Sequence, residues 1–127
     1  MFKKLLLIIT LFVAQASIAQ FDDSDLFDYK TMYSQPVFPG GLKEFNKYIG
    51  QTFKAPDVEG LSGVIKIDFI IEKNGLISMA KIITDIGSGA GDAAVKAILS
   101  SPAWLPGEEN GKKVRVVYHN YPITVSN

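Results

Sequence analysis

The stretch Val64-Ile65-Lys66-Ile67-Asp68-Phe69-Ile70-Ile71-Glu72-Lys73, closed by Asn74-Gly75, decides the fold class. Ile65, Ile67, Phe69 and Ile71 alternate with Lys66, Asp68 and Glu72. That period-two pattern is a strand with one buried face, which puts Asp68 and Glu72 on the exposed one. Asn74-Gly75 predicts a type I′ hairpin turn, because both central positions need positive φ. The chain then returns through Leu76 to Thr84 as a second strand, where Ile77, Ile82 and Ile83 supply β propensity.

Downstream, Gly87-Ser88-Gly89-Ala90-Gly91 leads into a helix expected from about Asp92 to Ser100. Ala94, Val95, Ile98 and Leu99 form its core face, and Pro102 ends it. A glycine-rich loop before a helix can cradle phosphate. Here no Gly-Lys-Ser/Thr follows and the spacing does not fit GxGxxG, so the loop reads as a connection. Trp104, Pro106-Gly107 and Asn110-Gly111 form a corner built for backbone reasons. Trp104 lacks a neighbouring polar site and reads as a plug over the sheet rather than a binding anchor.

Lys113 to Val125 is the last strand, and it contains a phase break. Val114, Val116 and Tyr118 share one face, whereas Ile123 and Val125 lie at odd offsets from them. One extra residue around His119-Asn120-Tyr121 restores the phase, as a β-bulge does. Pro122 cannot donate a ladder hydrogen bond and marks a sheet edge.

Upstream, Phe38-Pro39-Gly40-Gly41 is a turn signal, followed by Leu42, Phe45, Tyr48 and Ile49 at helical spacing. Gly50 reads as the helix stop, Lys54-Ala55-Pro56 as extended chain and Gly60 to Gly63 as a loop. The compact unit, residues 36–127, therefore reads as α and then β-β-α-β, an α+β fold. If the first strand pairs with both others, the second and third run parallel and join through a right-handed crossover. The result is a three-stranded sheet in the order 2-1-3, with the last strand as an edge.

Composition divides the rest of the chain. There are 127 residues with 47% hydrophobic, 13 basic and 13 acidic side chains, and no cysteine. Fourteen of the first 19 residues are hydrophobic. Lys3 and Lys4 precede the apolar run Leu5 to Ala14, and Ser17-Ile18-Ala19 supplies a cleavage site before Gln20. Residues 1–19 thus read as a signal peptide, and in a Gram-negative cell the product goes to the periplasm. The alternative is an uncleaved inner-membrane anchor, but the ten-residue run Leu5 to Ala14 spans only about 15 Å as helix. Residues 20–35 carry Asp22, Asp23, Asp25 and Asp28 among aromatics and read as an acidic, flexible leader. They lack the glycine and distal glutamate of an EF-hand loop.

The same inventory excludes several functions. A near-neutral domain has no basic footprint for nucleic acid. Without cysteine there is no thiolate nucleophile or thiolate zinc site, and the single His119 removes histidine-rich metal centres. No acid and nucleophile are placed beside His119, and Glu108-Glu109 reads as a solvated pair on a turn. No catalytic residue, metal or cofactor is expected, so the domain reads as a binding module.

The order Phe38-Pro39-Gly40-Gly41, the hairpin at Asn74-Gly75, a short helix, then Trp104-Leu105-Pro106-Gly107 and Asn110-Gly111-Lys112 resembles the TonB C-terminal domain. It looks especially like the version common in Bacteroidetes. The resemblance covers about Pro36 to Val125. It implies a three-stranded antiparallel sheet with two helices on one face. It also implies that the domain grips the TonB box, a short peptide of outer-membrane receptors, by adding it beside the last strand. Carried over by position, that edge is Val114, Arg115, Val116, Val117, Tyr118, His119, Asn120 and Tyr121. Energy transducers of the family carry a membrane helix and a long proline-rich spacer. The short apolar start and short leader here imply the binding fold without energy coupling. An exported adaptor or structural protein using the same edge for another partner, or for a homodimer, is the alternative.

Overall fold

The structure, a computed structural model, describes residues 25–127. The expected signal peptide and the first leader residues lie outside the described residues. No helix among the described residues is long and apolar enough to cross a membrane. The strands are β1 (Leu26–Asp28), β2 (Ser62–Ile71), β3 (Ile77–Thr84), β4 (Gly107–Glu109) and β5 (Lys112–Ser126). The helices are α1 (Leu42–Thr52) and α2 (Ala90–Leu99).

Strand β2 is central, antiparallel to β3 on one side and to β5 on the other. That reproduces the expected 2-1-3 arrangement of the three long strands. The sheet is nonetheless five-stranded and mixed, not three-stranded and antiparallel. β1 joins the far side of β5 in parallel, and β4 forms a short antiparallel pair with the start of β5. The expectation failed because β1 and β4 are three residues each, too short to show a period.

The core lies between the sheet and the two helices. Ile65, Ile67, Phe69 and Ile71 of β2 meet Phe45 and Ile49 of α1 and Ala90, Ala94, Ala97 and Ile98 of α2. Small alanines on α2 let that helix approach the sheet closely. Trp104 is buried as expected, edge-on to Phe38 and Phe45, and its indole N–H donates to Ser101 Oγ at 3.1 Å. Aromatic pairs of this kind stabilise by about 0.5–1.5 kcal/mol beyond simple burial.

Turn chemistry sets the joins. The Gly41 N–H donates to the Phe38 carbonyl at 2.6 Å, with Pro39 and Gly40 between them and Gly40 at φ 89°. A proline followed by a positive-φ residue is the type II pattern, which needs glycine second. This turn delivers Gly41 as the N-cap of α1. Gly50 does not stop that helix. α1 runs on to Thr52, and the Phe53 N–H donates to the Ile49 carbonyl. Gly50 keeps helical φ because burial of Phe45 and Ile49 outweighs the roughly 1 kcal/mol cost of a helical glycine.

Asn74-Gly75 does not form the type I′ turn. Only Gly75 has positive φ, the Gly75 N–H donates to the Glu72 carbonyl, and the Glu72 N–H donates to the Leu76 carbonyl. This is the longer hairpin loop in which glycine ends a tight turn as a bulge. Asn74 instead accepts the Leu76 N–H on its side-chain oxygen. The two-residue turn with positive φ at both positions is Asn110-Gly111, between β4 and β5. Helix α2 starts at Ala90, two residues before the expected Asp92. The Asp85 carboxylate explains this: it accepts N–H groups from Ile86, Gly87 and Gly91, holding the glycine loop and the first turn together. Those amides are therefore already engaged.

Candidate functional site: the outer edge of β5

Strand β5 offers two flanks. Its inner flank pairs with β2 from Val116 to Ser126. The other flank is covered only in part. β1 lies along Arg115, Val116 and Val117, and ahead of the β2 pairing Lys112 to Val114 pair with β4. From Tyr118 to Ser126 that flank carries no strand among the described residues. An open strand flank presents unpaired backbone N–H and C=O groups, the raw material for strand addition.

The bulge expected near His119 is present. Phe69 opposes Tyr118 and Ile67 opposes Tyr121, so Asp68 faces two residues, His119 and Asn120. Asn120 adopts φ 56°, and its N–H donates to Asp68 Oδ1 at 2.8 Å. His119 Nδ1 lies 2.8 Å from Asp68 Oδ2. Asp68 is therefore buried at 9% exposure, not solvated on an outer face as the alternation suggests. A carboxylate with two partners at a bulge satisfies groups that the broken ladder leaves unpaired. The bulge also turns Tyr121, Ile123 and Val125 into the core, which restores the phase.

A groove of about 520 Å³ runs beside the open edge, between α1 and β5. Leu42, Asn46 and Phe53 line its helix side, and Tyr121, Ile123 and Val125 its strand side. The Tyr121 hydroxyl donates to Asn46 Oδ1 at 2.6 Å, tying strand to helix. Burial pushes the Tyr121 phenol well above its usual value, helped by neighbouring Tyr118, so it remains a neutral donor. The groove is thus mainly apolar with fixed hydroxyl and amide groups, suited to side chains of an extended peptide lying on the strand.

The expected site residues divide into two groups. Val114 is already paired with β4, and Arg115 to Val117 with β1, the latter because the end of the acidic leader is folded into the sheet. Tyr118 to Tyr121 keep the open flank, which continues beyond them through Ser126. The Tyr118 ring stacks on Phe69 and meets Tyr29 at 4.6 Å. Arg115 is held on two sides. Its Nε donates to Glu72 Oε1 at 2.8 Å, and its Nη1 donates to Asp25 Oδ1 at 2.8 Å. Sequence reading missed Asn46 and Phe53 of the groove and the whole of β1. The one trace of β1 is charge, an acidic leader facing a last strand that begins Lys112, Lys113 and Arg115.

Of the motif residues, Phe38, Gly75, Trp104 and Gly107 are buried at packing positions. Pro39, Gly40, Gly41, Asn74, Asn110 and Gly111 shape turns, and Pro106 bridges Leu105 to β4. None of them lines the groove.

Comparison with known proteins agrees with this geometry. The family model of the Gram-negative bacterial TonB protein C-terminal matches residues 57–124, more than half of the chain. The matched span takes in β2, β3, α2, β4 and most of β5. The NMR solution structure of the Helicobacter pylori TonB C-terminal domain superposes with a TM-score of 0.51 at 21% identity. That match covers 67% of this chain and 91% of the other, and it shows the shared fold. A sequence search against curated proteins returns no match. With the family model spanning both the hairpin and the strand that borders the groove, the chain belongs to the TonB C-terminal family.

Proposed function

We propose that this chain is an exported binding module that takes up an extended peptide by strand addition on β5, from Tyr118 to Val125. The observation that carries the reading is the open flank beside an apolar groove. Backbone pairing supplies affinity, and the groove selects side chains on alternate positions. The partner fitting the family is the TonB box of an outer-membrane receptor, met in the periplasm after signal-peptide cleavage behind Ala19. Binding needs no catalytic group, metal or cofactor. Among the described residues no cluster of three or more metal-ligating side chains exists.

Titrating the isotope-labelled chain with a synthetic TonB-box peptide tests this. Amide shifts concentrated in Tyr118 to Val125 are the expected result, with smaller shifts at Leu42 and Phe53. Unmoved amides along that stretch at millimolar peptide would refute the reading.

The same open flank favours a second reading, in which β5 of one copy pairs with β5 of another. Pro122 interrupts the donors there, and Asn120 with positive φ bends the strand, both of which limit edge-to-edge pairing. A sedimentation coefficient that stays at the monomer value as concentration rises removes the homodimer.

A further inference from the structure

Strand β1 lies on the same flank of β5 as the proposed peptide site, and it ends where the open flank begins. Leu26 opposes Arg115, Phe27 opposes Val116 and Asp28 opposes Val117, all in parallel. Immediately afterwards the chain leaves the sheet through a 3-10 turn, Tyr29–Thr31. Asp28 caps that turn by accepting the Lys30 N–H at 2.9 Å. Tyr29 rests on Tyr118, the first residue of the open stretch.

We propose that β1 is an intramolecular occupant of the peptide edge, a strap displaced when a bound peptide extends from Tyr118 toward Arg115. The inference rests on the strand-addition reading above and adds its regulation. Three features make β1 a displaceable strap rather than a permanent strand. It has only three residues, so few ladder bonds hold it. Neither of its apolar residues is fully buried, Phe27 being 38% exposed and Leu26 half-buried, so β1 gives up less apolar area on leaving than a core strand would. Its charged anchor, Asp25, has a side chain 57% exposed to solvent, where ion pairs are weak and screened by salt. Short exposed segments of this kind open at low cost compared with a core strand.

Arg115 stays placed when the strap departs, because Glu72 still accepts from its Nε and Nη2. Release of Asp25 therefore leaves an oriented guanidinium with a free Nη1 beside the newly opened edge. An incoming peptide that carries a carboxylate at that register replaces the contact it displaces. The strap thus defines the ligand chemistry it competes with, an extended segment with an acidic residue just before an apolar pair. It also lowers apparent affinity by the fraction of molecules in which it is closed.

The test compares full chains titrated with a TonB-box peptide and read by amide shifts. Phe27→Pro weakens β1 pairing, and is expected to raise affinity by roughly fivefold. It also extends the shifts from Tyr118–Val125 to Arg115–Val117. A second protein, Leu26→Cys with Arg115→Cys, places its only thiols on opposed residues of strands about 4.8 Å apart. Its oxidised form locks the strap and is expected to bind more weakly than its reduced form. Equal affinity in the native chain, in Phe27→Pro and in both redox forms, with Tyr118–Val125 still shifting, overturns the strap and leaves the binding site standing. Absence of shifts in every protein overturns the peptide-binding reading, and the strap with it.

Discussion

Asp68 Oδ1 accepts the backbone N–H of Asn120 at 2.8 Å, across the two central strands and at the bulge that re-phases β5. The contact explains why an acidic residue occupies a nearly buried strand position. It holds open the bend that aims Tyr121, Ile123 and Val125 at the helices. Asp68→Ala is expected to lose about 1–3 kcal/mol of unfolding free energy, the cost of leaving bulge donors unpaired. Asn120→Gly, in contrast, keeps the N–H and suits φ 56°, so it should change stability by less than about 0.5 kcal/mol. Urea unfolding of the two variants checks the contrast.

Gly75 and Trp104 approach through their backbones. The Trp104 N–H donates to the Gly75 carbonyl at 2.8 Å, and a Cβ on Gly75 would lie 1.8 Å from the Trp104 carbonyl oxygen. With φ 87° added to that clash, Gly75→Ala is expected to cost roughly 2–4 kcal/mol, seen as a lower denaturation midpoint. An unchanged midpoint would show that the loop carrying Trp104 moves away freely.

Glu72 predicts an acid-sensitive contribution. Partial burial alone would raise its carboxyl. Hydrogen bonds from Ser78 and Arg115, together with the Arg115 charge, outweigh that and hold it below the usual carboxylate value. A depressed folded-state value means the carboxylate stabilises the fold above about pH 4.5 and loses that contribution as pH falls through the depressed value. Because the pair is partly solvated, the effect is small, under about 1 kcal/mol. Glu72→Gln should be less stable than the native chain at pH 7, and the difference should shrink as pH falls through the depressed value, measured by urea midpoints.

Asp85 holds three loop and helix amides and sits at the positive end of α2. Asp85→Ala removes both the cap and the charge and is expected to cost about 1–2 kcal/mol. Faster hydrogen exchange at Gly87 and Gly91 is the local signature. Unaltered exchange there would mean that water replaces the carboxylate without loss.

Leu42 separates binding from stability. It is 37% exposed on the groove wall and occupies the first residue of α1. Aspartate is welcome in a first helical turn, so Leu42→Asp should fold normally. It places a charge beside apolar peptide side chains, and affinity for a TonB-box peptide should fall roughly tenfold. Calorimetric titration with unfolding of the same sample distinguishes this from a folding defect.

Much of the fold was legible because its signals are local. The alternation in β2, the Phe38-Pro39-Gly40-Gly41 turn and the apolar face of α1 each announce themselves within a few residues. The phase break in β5 was legible too, since a one-residue slip moves Ile123 and Val125 to the wrong face. Asp68 was misplaced by the same logic. Period-two reasoning assigns a polar residue to solvent and has no way to see a bulge amide waiting across the sheet. Asn74-Gly75 and Asn110-Gly111 show a similar limit: the same dipeptide makes two different turns, chosen by what the flanking strands require.

By itself, then, the amino-acid sequence determined the β2–β3 hairpin, the helical faces, the need for a bulge and the presence of an edge, all consequences of local periodicity and backbone preference. Only the tertiary structure decided which part of that edge is open. β1 is three residues with no period, and its anchor Asp25 finds Arg115 from 90 positions away. Such a pairing depends on the sheet already being built, because a short strand gains its hydrogen bonds only from a neighbour that other contacts hold in place.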